Sequence, residues 1–313
     1  MEASNPYGAA DKAQGLAARP ARRRSKQDLV GYLFILPVVV FFCAFILYPL
    51  VYSIRLSLFE WTGYTKDMLF VGFRNYTDVI ANWVFWTTVK NTLIFALALA
   101  LVQTSIALIL AIVLDSKLFG REVFKVIFFT PVLVSIAVVS LLWGRIFEPN
   151  FGLLNGILNS LGLSSLTRAW LGDSSVALYA VVAVSAWTGF GYSMVLLLAG
   201  LQDIGEDFKD AAKIDGATDL GVIRFITIPL LRPVIALVLT LTLIGGLKVF
   251  EIIYVMTSGG PNHATESVST LLYYEAFRFN RMGMASATAV FLLIGTVVIS
   301  LVQRRLMESE ALA

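Results

Sequence analysis

Charged residues are scarce in this sequence. Asp, Glu, Lys and Arg make up 14% of its 313 residues, whereas a soluble domain usually carries about a quarter. The net charge is only +3 at pH 7. Its basic residues are spread over several segments rather than gathered on one face, which argues against nucleic acid as a partner. The composition therefore argues against an ordinary soluble domain.

Cysteine and histidine are almost absent. Cys43 is the single cysteine and His263 the single histidine. The sequence therefore allows no internal disulfide, and one histidine provides too few ligands for a metal site. It also contains no GxxxxGK[ST] phosphate loop, so the chain cannot supply a nucleotide site. We expect no cofactor and no metal in this chain.

Long apolar runs, by contrast, fill the chain. Hydrophobic residues make up 58% of it, and its mean hydropathy is +0.80. A helix needs about 20 apolar residues to cross a bilayer. Over such runs only helices satisfy their own backbone hydrogen bonds in lipid. We therefore predict an all-α polytopic membrane protein with six transmembrane helices. The six runs are residues 29–54, 92–114, 123–147, 176–200, 233–256 and 283–302.

The distribution of Lys and Arg predicts the orientation. The stretch before the first run is basic, with Arg22, Arg23 and Arg24 in succession, and basic flanks favour the cytoplasmic side. With six crossings, both ends then lie in the cytoplasm. We expect a disordered basic tail at 1–28, a transmembrane domain at 29–303 and a second cytoplasmic tail at 304–313.

The segment 204–233 is the most patterned stretch outside the apolar runs. It reads IGEDFKDAAKIDGATDLGVIRFITIPLLRP, with acidic residues early and lysines later, as a helix dipole prefers. Gly216 permits the left-handed conformation that ends a helix. A second short helix is predicted from Thr218, ended by Pro229 and Pro233. The small residues at the bend suit a docking element, and an amphipathic connector on the membrane surface is the alternative.

The run DAAKIDGATDLGVIRFITIPLLRP resembles the cytoplasmic loop of bacterial ABC importer membrane subunits. The usual form begins Glu-Ala-Ala and continues to Asp-Gly-Ala and Ile-x-x-Pro, so Asp210 stands where Glu is usual. FVGFRNYTDV, FFTP with WGRIFEPNFGLLN, and FEIIYVMTSGGPNHATES resemble the carbohydrate-uptake branch, in its six-span lactose and glycerol-phosphate type. A maltose-type subunit is larger.

The resemblance implies a permease subunit in the bacterial inner membrane that forms half of a pore for a di- or oligosaccharide. It implies a second, similar permease, two copies of an ATP-binding subunit that holds ATP and Mg²⁺, and an extracytoplasmic sugar-binding protein. The loop would be the coupling helix that docks in the ATPase and drives alternating access. Its implied coupling residues are Asp210, Ala211, Ala212, Asp215, Gly216, Ala217 and Pro229.

Polar residues inside the spans are the candidates for a substrate pathway, because they are costly unless they face a cavity or a partner. In SAWTGFGYS of the fourth span, four such residues share one helix face, where the maltose-type subunit also has substrate contacts. Packing between helices is an equally good interpretation of each. These residues are Ser185, Thr188, Gly189 and Tyr192.

The fifth span carries Lys248 and Glu251 three residues apart. Such charges should face the pore or pair with each other. The resemblance to the maltose-type subunit adds Gly246 to the candidate pathway. Ser135 in the third span is a further candidate, although its hydroxyl could instead bond back to its own helix.

Three other functions compete with this prediction. An intramembrane enzyme would need paired aspartates or a metal cluster, which Asp115 and Glu251 do not provide, so we expect no enzyme. An ion-coupled secondary transporter would usually show internal repeats with broken helices, and no clear repeat is present. A membrane scaffold would not need the glycine-bent loop. Glycerol phosphate is the alternative to a sugar as substrate.

Overall fold

The structure is a computed structural model that describes residues 26–116 and 119–311. Side chains are described for 32–116 and 119–305. Most of the predicted N-terminal tail, residues 1–25, lies outside the described residues. The chain divides into two units, residues 1–52 and 53–313, and each is described by itself.

The described part of the first unit, residues 26–52, is apolar helix. Helix α1 covers Lys26–Phe42, a π-helical turn covers Cys43–Leu47, and α2 begins at Tyr48. The helix α2, Tyr48–Leu56, extends across the boundary into the second unit. Together these three helical stretches form a candidate membrane span at Tyr32–Leu56, which agrees with the first predicted run.

In the described residues of the second unit, the regular structure is helical apart from one small pair of strands. Strands β1, Phe59–Glu60, and β2, Leu69–Phe70, pair antiparallel. Its helices are α3 Arg74–Ala81, α4 Trp83–Asp115, α5 Arg121–Phe129, α6 Ile136–Ile146, α7 Leu153–Ser160, α8 Ala177–Gln202, α9 Glu206–Ile214, α10 Asp219–Val222, α11 Ile228–Leu247, α12 Glu251–Met256, α13 Val268–Tyr273 and α14 Met282–Ala311. Short 3-10 turns cover Thr130–Leu133 and Ser164–Leu166, and π-helical turns cover Ile223–Thr227 and Tyr274–Arg278.

Five helical stretches in the described residues are long and apolar enough to cross a membrane. The predicted third span is bent: its two halves, Arg121–Leu133 and Ile136–Ile146, meet at 95°. Counted as one span, they make a sixth. Pro131 lies in the 3-10 turn before the bend, Val134 is extended and Ser135 is not helical, so the helix ends and restarts there.

The prediction that Pro229 and Pro233 stop the second short helix is wrong. One helical stretch runs from Asp219 to Leu247 through both prolines. The π-helical turn Ile223–Thr227 precedes Pro229, and the N–H of Ile228 donates to the carbonyl of Ile223, five residues back. Proline lacks an N–H that could donate within the helix. The hydrogen-bond register changes at the widened turn just before Pro229, so the absence of that N–H does not stop the helix.

The predicted fifth span, residues 233–256, is also not one helix. Helix α11 ends at Leu247, the residues Lys248 to Phe250 are not helical, and α12 restarts at Glu251. At the chain's end, α14 continues to Ala311, so the helix includes most of the segment assigned to a C-terminal tail. The break after Leu247 places the charged side chains of Lys248 and Glu251 where the helix is interrupted.

The core of the second unit forms where α4 and α8 pack together. Phe95 of α4 and Val181 of α8 are buried in one cluster with Ile253 of α12. A second cluster joins these two helices to α11 through residues such as Met194 and Leu231. Gly246 of α11 allows close approach, because an added Cβ would lie 2.6 Å from Ala96 Cα. The arrangement makes α4 a central helix that contacts α8 and α11.

Candidate functional site: a polar cavity and an exposed bent segment

The α9–α10 segment, residues 205–222, contains the bend that the sequence predicts. Gly216 has φ of +86°. The N–H of Ala217 donates to the carbonyl of Ala212 at 2.9 Å, and the N–H of Gly216 donates to that of Lys213 at 3.0 Å. These two bonds form a Schellman motif, which ends α9 and satisfies its last carbonyls. The bend therefore results from local backbone chemistry.

The α9–α10 segment buries almost nothing. Among its residues only Val222 is buried, and α9 contributes none. Three large apolar side chains are exposed instead: Phe208 by 60%, Ile214 by 86% and Leu220 by 74%. Exposed apolar groups clustered on one excursion indicate an interaction surface. Sequence reasoning stressed the small residues at the bend and missed these three.

The predicted coupling residues lie together on this segment, with one exception. Asp210, Ala211, Asp215 and Gly216 are exposed, and Ala212 and Ala217 are partly buried. Pro229 lies beyond the segment, in the first turn of α11. Six of the seven predicted residues thus form one continuous surface region.

A polar cavity of about 480 Å³ lies among the spans. Its wall gathers the predicted residues Ser185, Thr188 and Gly189 of α8 with Lys248 and Glu251 at the break after α11. Residues 60 positions apart in sequence therefore face one space. The remaining lining residues are Phe95, Leu99, Ile136, Gly245, Val249, Phe250 and Ile252.

The polar residues of the cavity wall differ in how accessible their side chains are. The buried hydroxyl of Ser185 has no hydrogen-bond partner, and such a group is costly unless something else satisfies it. Lys248 and Glu251 are exposed, and these two described residues form no ion pair with each other. Thr188 uses its hydroxyl locally, donating to the carbonyl of Val184 at 2.9 Å. The cavity thus offers a cation and an anion beside the aromatic rings of Phe95 and Phe250, while the Ser185 hydroxyl is enclosed within the wall.

Three predicted pathway residues lie outside the cavity wall. Gly246 packs against Ala96, and its neighbour Gly245 lines the cavity instead. Tyr192 is exposed further along α8, and Ser135 is the exposed residue that precedes α6 at the bend. Gly246 therefore has a packing role.

Sequence reasoning missed a polar contact next to the cavity. The side-chain amide of Gln103 on α4 donates to the Ser193 hydroxyl on α8 at 2.9 Å. Gln103 also fills the space beside Gly189, where an added Cβ would lie 2.6 Å from its side chain. A glutamine within an apolar run is a signal that could have identified this contact. The bond links α4 and α8 directly behind the cavity wall.

The α12–α14 segment, residues 257–281, is held by a buried polar network. The Asn91 amide of α4 donates to the carbonyls of His263 at 2.7 Å and Glu266 at 3.1 Å. The Ser267 hydroxyl donates to the carbonyl of Val249 at 2.8 Å, which ties the segment to the cavity wall. His263 also contacts the buried carboxylate of Glu266.

Glu275 is the most buried charged residue of the α12–α14 segment, with its side chain 2% exposed. Its carboxylate pairs with Arg281, whose Nη2 donates to Oε1 at 2.8 Å. Burial raises the pKa of Glu275, and the Arg281 guanidinium opposes that rise. The pair therefore stabilises the segment while Arg281 is present.

Apolar spans around a cavity that holds charged residues, together with an exposed helix, glycine bend and helix, suit a membrane transport subunit. Residues 103–308 match the family described as "Binding-protein-dependent transport system inner membrane component". The chain belongs to this family. The resemblance stated from the sequence and the location in the inner membrane are confirmed.

Curated relatives match nearly the whole chain. A probable ABC transporter permease of Bacillus subtilis (strain 168) is 37% identical, over 91% of this chain and 98% of its own length. A trehalose/maltose transport system permease of Thermococcus litoralis is 35% identical, over 86% and 90%. A solved bacterial ABC transporter for import of the acidic polysaccharide alginate has a TM-score of 0.78 at 24% identity, covering 91% of this chain and 96% of that chain. This structural likeness establishes the fold.

Proposed function

We propose that this chain is half of the pore of an ATP-driven importer for a di- or oligosaccharide. The observation that carries the proposal is the cavity, which places Ser185, Lys248 and Glu251 beside two aromatic rings within an apolar bundle. Sugars are bound by hydrogen-bonding groups backed by aromatic faces. Relatives named for trehalose/maltose and lactose transport support a sugar as the substrate class.

The chain would form the pathway with a second, similar permease. It would receive its sugar from an extracytoplasmic binding protein, and two ATP-binding subunits would hydrolyse ATP with Mg²⁺. The α9–α10 segment would dock on one of these subunits as a coupling helix, with Asp210 to Ala217 at the contact. The exposed side chains of Ile214 and Leu220 supply apolar area for that contact. The full proposal includes six spans with both chain ends in the cytoplasm.

The test is uptake by proteoliposomes that contain the complex purified with this chain. Labelled maltose, trehalose, lactose and glycerol phosphate are offered with the co-encoded binding protein, with ATP inside the vesicles or with a proton or sodium gradient alone. We expect uptake of a sugar that requires internal ATP. Uptake driven by a gradient without ATP would contradict the proposal and favour a secondary transporter.

Lys248→Gln tests the cavity as the pathway. We expect a higher KM for the transported sugar and unchanged recovery of the ATP-binding subunits, because the side chain lines the cavity and lies apart from the α9–α10 segment. Lys125→Gln is the control, since Lys125 pairs with Glu122 on α5 and is not among the lining residues. Equal KM values for both variants and the wild type would remove Lys248 from the pathway.

A further inference from the structure

Among the described side chains, one ion pair attaches helix α9 to the spans. Its nine residues include none that is buried, and only Lys209 and Ala212 are partly buried. The Lys209 ammonium lies 2.7 Å from Asp115 Oδ2, and the two side chains are 24% and 22% exposed. A charge-assisted bond in a partly enclosed position is stronger than an ion pair on an open surface.

The position of Asp115 gives this ion pair its significance. Asp115 is the last residue of α4, a helix of 33 residues that is about 50 Å long at 1.5 Å per residue. Lys209 also brings a positive charge to the C-terminal end of α4, which the helix dipole favours. The contact thus joins the end of a long central helix to a short exposed one.

Helix α4 leads from this contact to the cavity. Phe95 and Leu99 of the same helix line the cavity, and Leu99 lies about 24 Å along the axis from Asp115 at 1.5 Å per residue. The bond from Gln103 to Ser193 and the shared buried cores couple α4 to α8. A displacement at Asp115 would therefore shift one cavity wall as a unit, because packed helices transmit movement along their axes.

We propose that the Lys209–Asp115 ion pair is the tether through which movement of α9 displaces α4 and the cavity wall. The inference rests on the proposed function, in which α9 docks on an ATP-binding subunit. It makes Lys209 and Asp115 positioning residues for coupling, distinct from the docking surface and from the cavity. Lys125–Glu122, 2.8 Å apart on α5, is an ion pair outside the α9–α10 segment and provides the control.

The transport test compares sugar uptake per ATP hydrolysed in the reconstituted complex. Asp115→Asn and Lys209→Gln should each lower this ratio about fivefold or more, at the lower end of typical coupling effects. The charge-swapped double variant Asp115→Lys with Lys209→Asp should recover at least half of the wild-type ratio. Lys125→Gln should leave it unchanged, because Lys125 lies outside both the α9–α10 segment and the cavity wall. Wild-type ratios in both single variants, or a swap that fails to restore a lowered ratio, would overturn the tether.

A second measurement does not depend on transport. Amide hydrogen exchange of residues 206–214 is measured in the full chain in lipid nanodiscs. In Asp115→Asn, the amides of α9 should lose protection from hydrogen exchange, because the tether limits local opening of this helix. In the charge-swapped variant they should regain it. Equal exchange in wild type and Asp115→Asn would overturn the tether. Absence of ATP-dependent uptake by the wild type would instead contradict the proposed function, and the exchange result would still decide the tether.

Discussion

The α9–α10 segment and the α12–α14 segment are both excursions between membrane helices, yet they are stabilised in opposite ways. In the α12–α14 segment, polar groups such as Thr265, Ser267 and Glu275 are buried and bonded within the chain. In the α9–α10 segment, Ile214 and Leu220 are exposed. The α12–α14 segment satisfies its buried polar groups within the chain, although Phe277 and Phe279 are exposed. The α9–α10 segment buries only Val222 and retains apolar surface that a partner can cover. The difference indicates that this subunit needs another protein at the α9–α10 segment.

The largest effect should come from removing that apolar surface. The double variant Ile214→Ser with Leu220→Ser can no longer bury these two side chains against the ATP-binding subunit. Their burial is worth together about 3 kcal/mol or more, so affinity for that subunit should fall by more than about a hundredfold. Recovery of the ATP-binding subunit with the tagged chain, measured by quantitative gel densitometry, should fall accordingly. The unfolding temperature should stay the same, because both side chains are already exposed.

The matched control for this variant replaces exposed apolar residues elsewhere. Phe151 and Leu161 are 95% and 68% exposed, outside the α9–α10 segment. Phe151→Ser with Leu161→Ser should leave recovery of the ATP-binding subunit unchanged. Equal losses in the two double variants would mean that the α9–α10 segment has no special role, and the comparison between the two segments would fail.

The α12–α14 segment should respond in stability rather than in assembly. Arg281→Gln leaves the buried carboxylate of Glu275 short of its partner, which should lower the free energy of unfolding by about 1–3 kcal/mol. A lower Tm in detergent at neutral pH would show it, with recovery of the ATP-binding subunit intact. Arg278→Gln is the control, because Arg278 lies over the Tyr274 ring at 5.6 Å and, among the described residues, pairs with no buried carboxylate.

The loss of stability in Arg281→Gln should depend on pH. Burial raises the pKa of Glu275 and Arg281 opposes the rise, so removal of Arg281 should let the folded-state pKa rise further above its unfolded value. A carboxyl with a raised folded-state pKa takes up its proton more readily in the folded than in the unfolded state, so the penalty is present above the folded pKa and shrinks as pH falls through it. The Tm difference between Arg281→Gln and wild type should narrow on acidification. A difference that widens at lower pH would contradict the burial of this charge.

The smallest effect concerns the bend itself. Gly216 has φ of +86°, a conformation that costs an L-residue about 1–2 kcal/mol and is an outlier for a β-branched one. Gly216→Val should therefore lower transport roughly tenfold with normal membrane insertion. Gly205→Val is the control, because Gly205 has φ of −56°. Wild-type uptake by Gly216→Val would remove the case for the bend.

Features encoded by nearby residues could be predicted from the sequence. The Gly216 bend depends on carbonyls three to five residues away, and the apolar runs report membrane helices directly. The stop predicted at Pro229 failed because the π-helical turn at Ile223–Thr227 changes the hydrogen-bond register before the proline. No local rule signals such a turn.

Features encoded by distant residues could not be predicted. The hydrogen bond from Asn91 to the carbonyl of His263 joins positions 172 apart in sequence, and the Lys209–Asp115 pair joins positions 94 apart. The cavity could be predicted in part. Its polar residues were identified as costly in lipid, but the break at Lys248 that brings them together depends on packing among α4, α8 and α11.

The measurement that tests the central claim most directly is to purify the tagged chain in mild detergent from its native host. Every protein that stays bound is then identified by mass spectrometry. The account predicts an ATP-binding subunit and a second permease with the wild-type chain, and loss of the ATP-binding subunit from the Ile214→Ser with Leu220→Ser variant. Recovery of the wild-type chain alone, across several mild detergents, would contradict it.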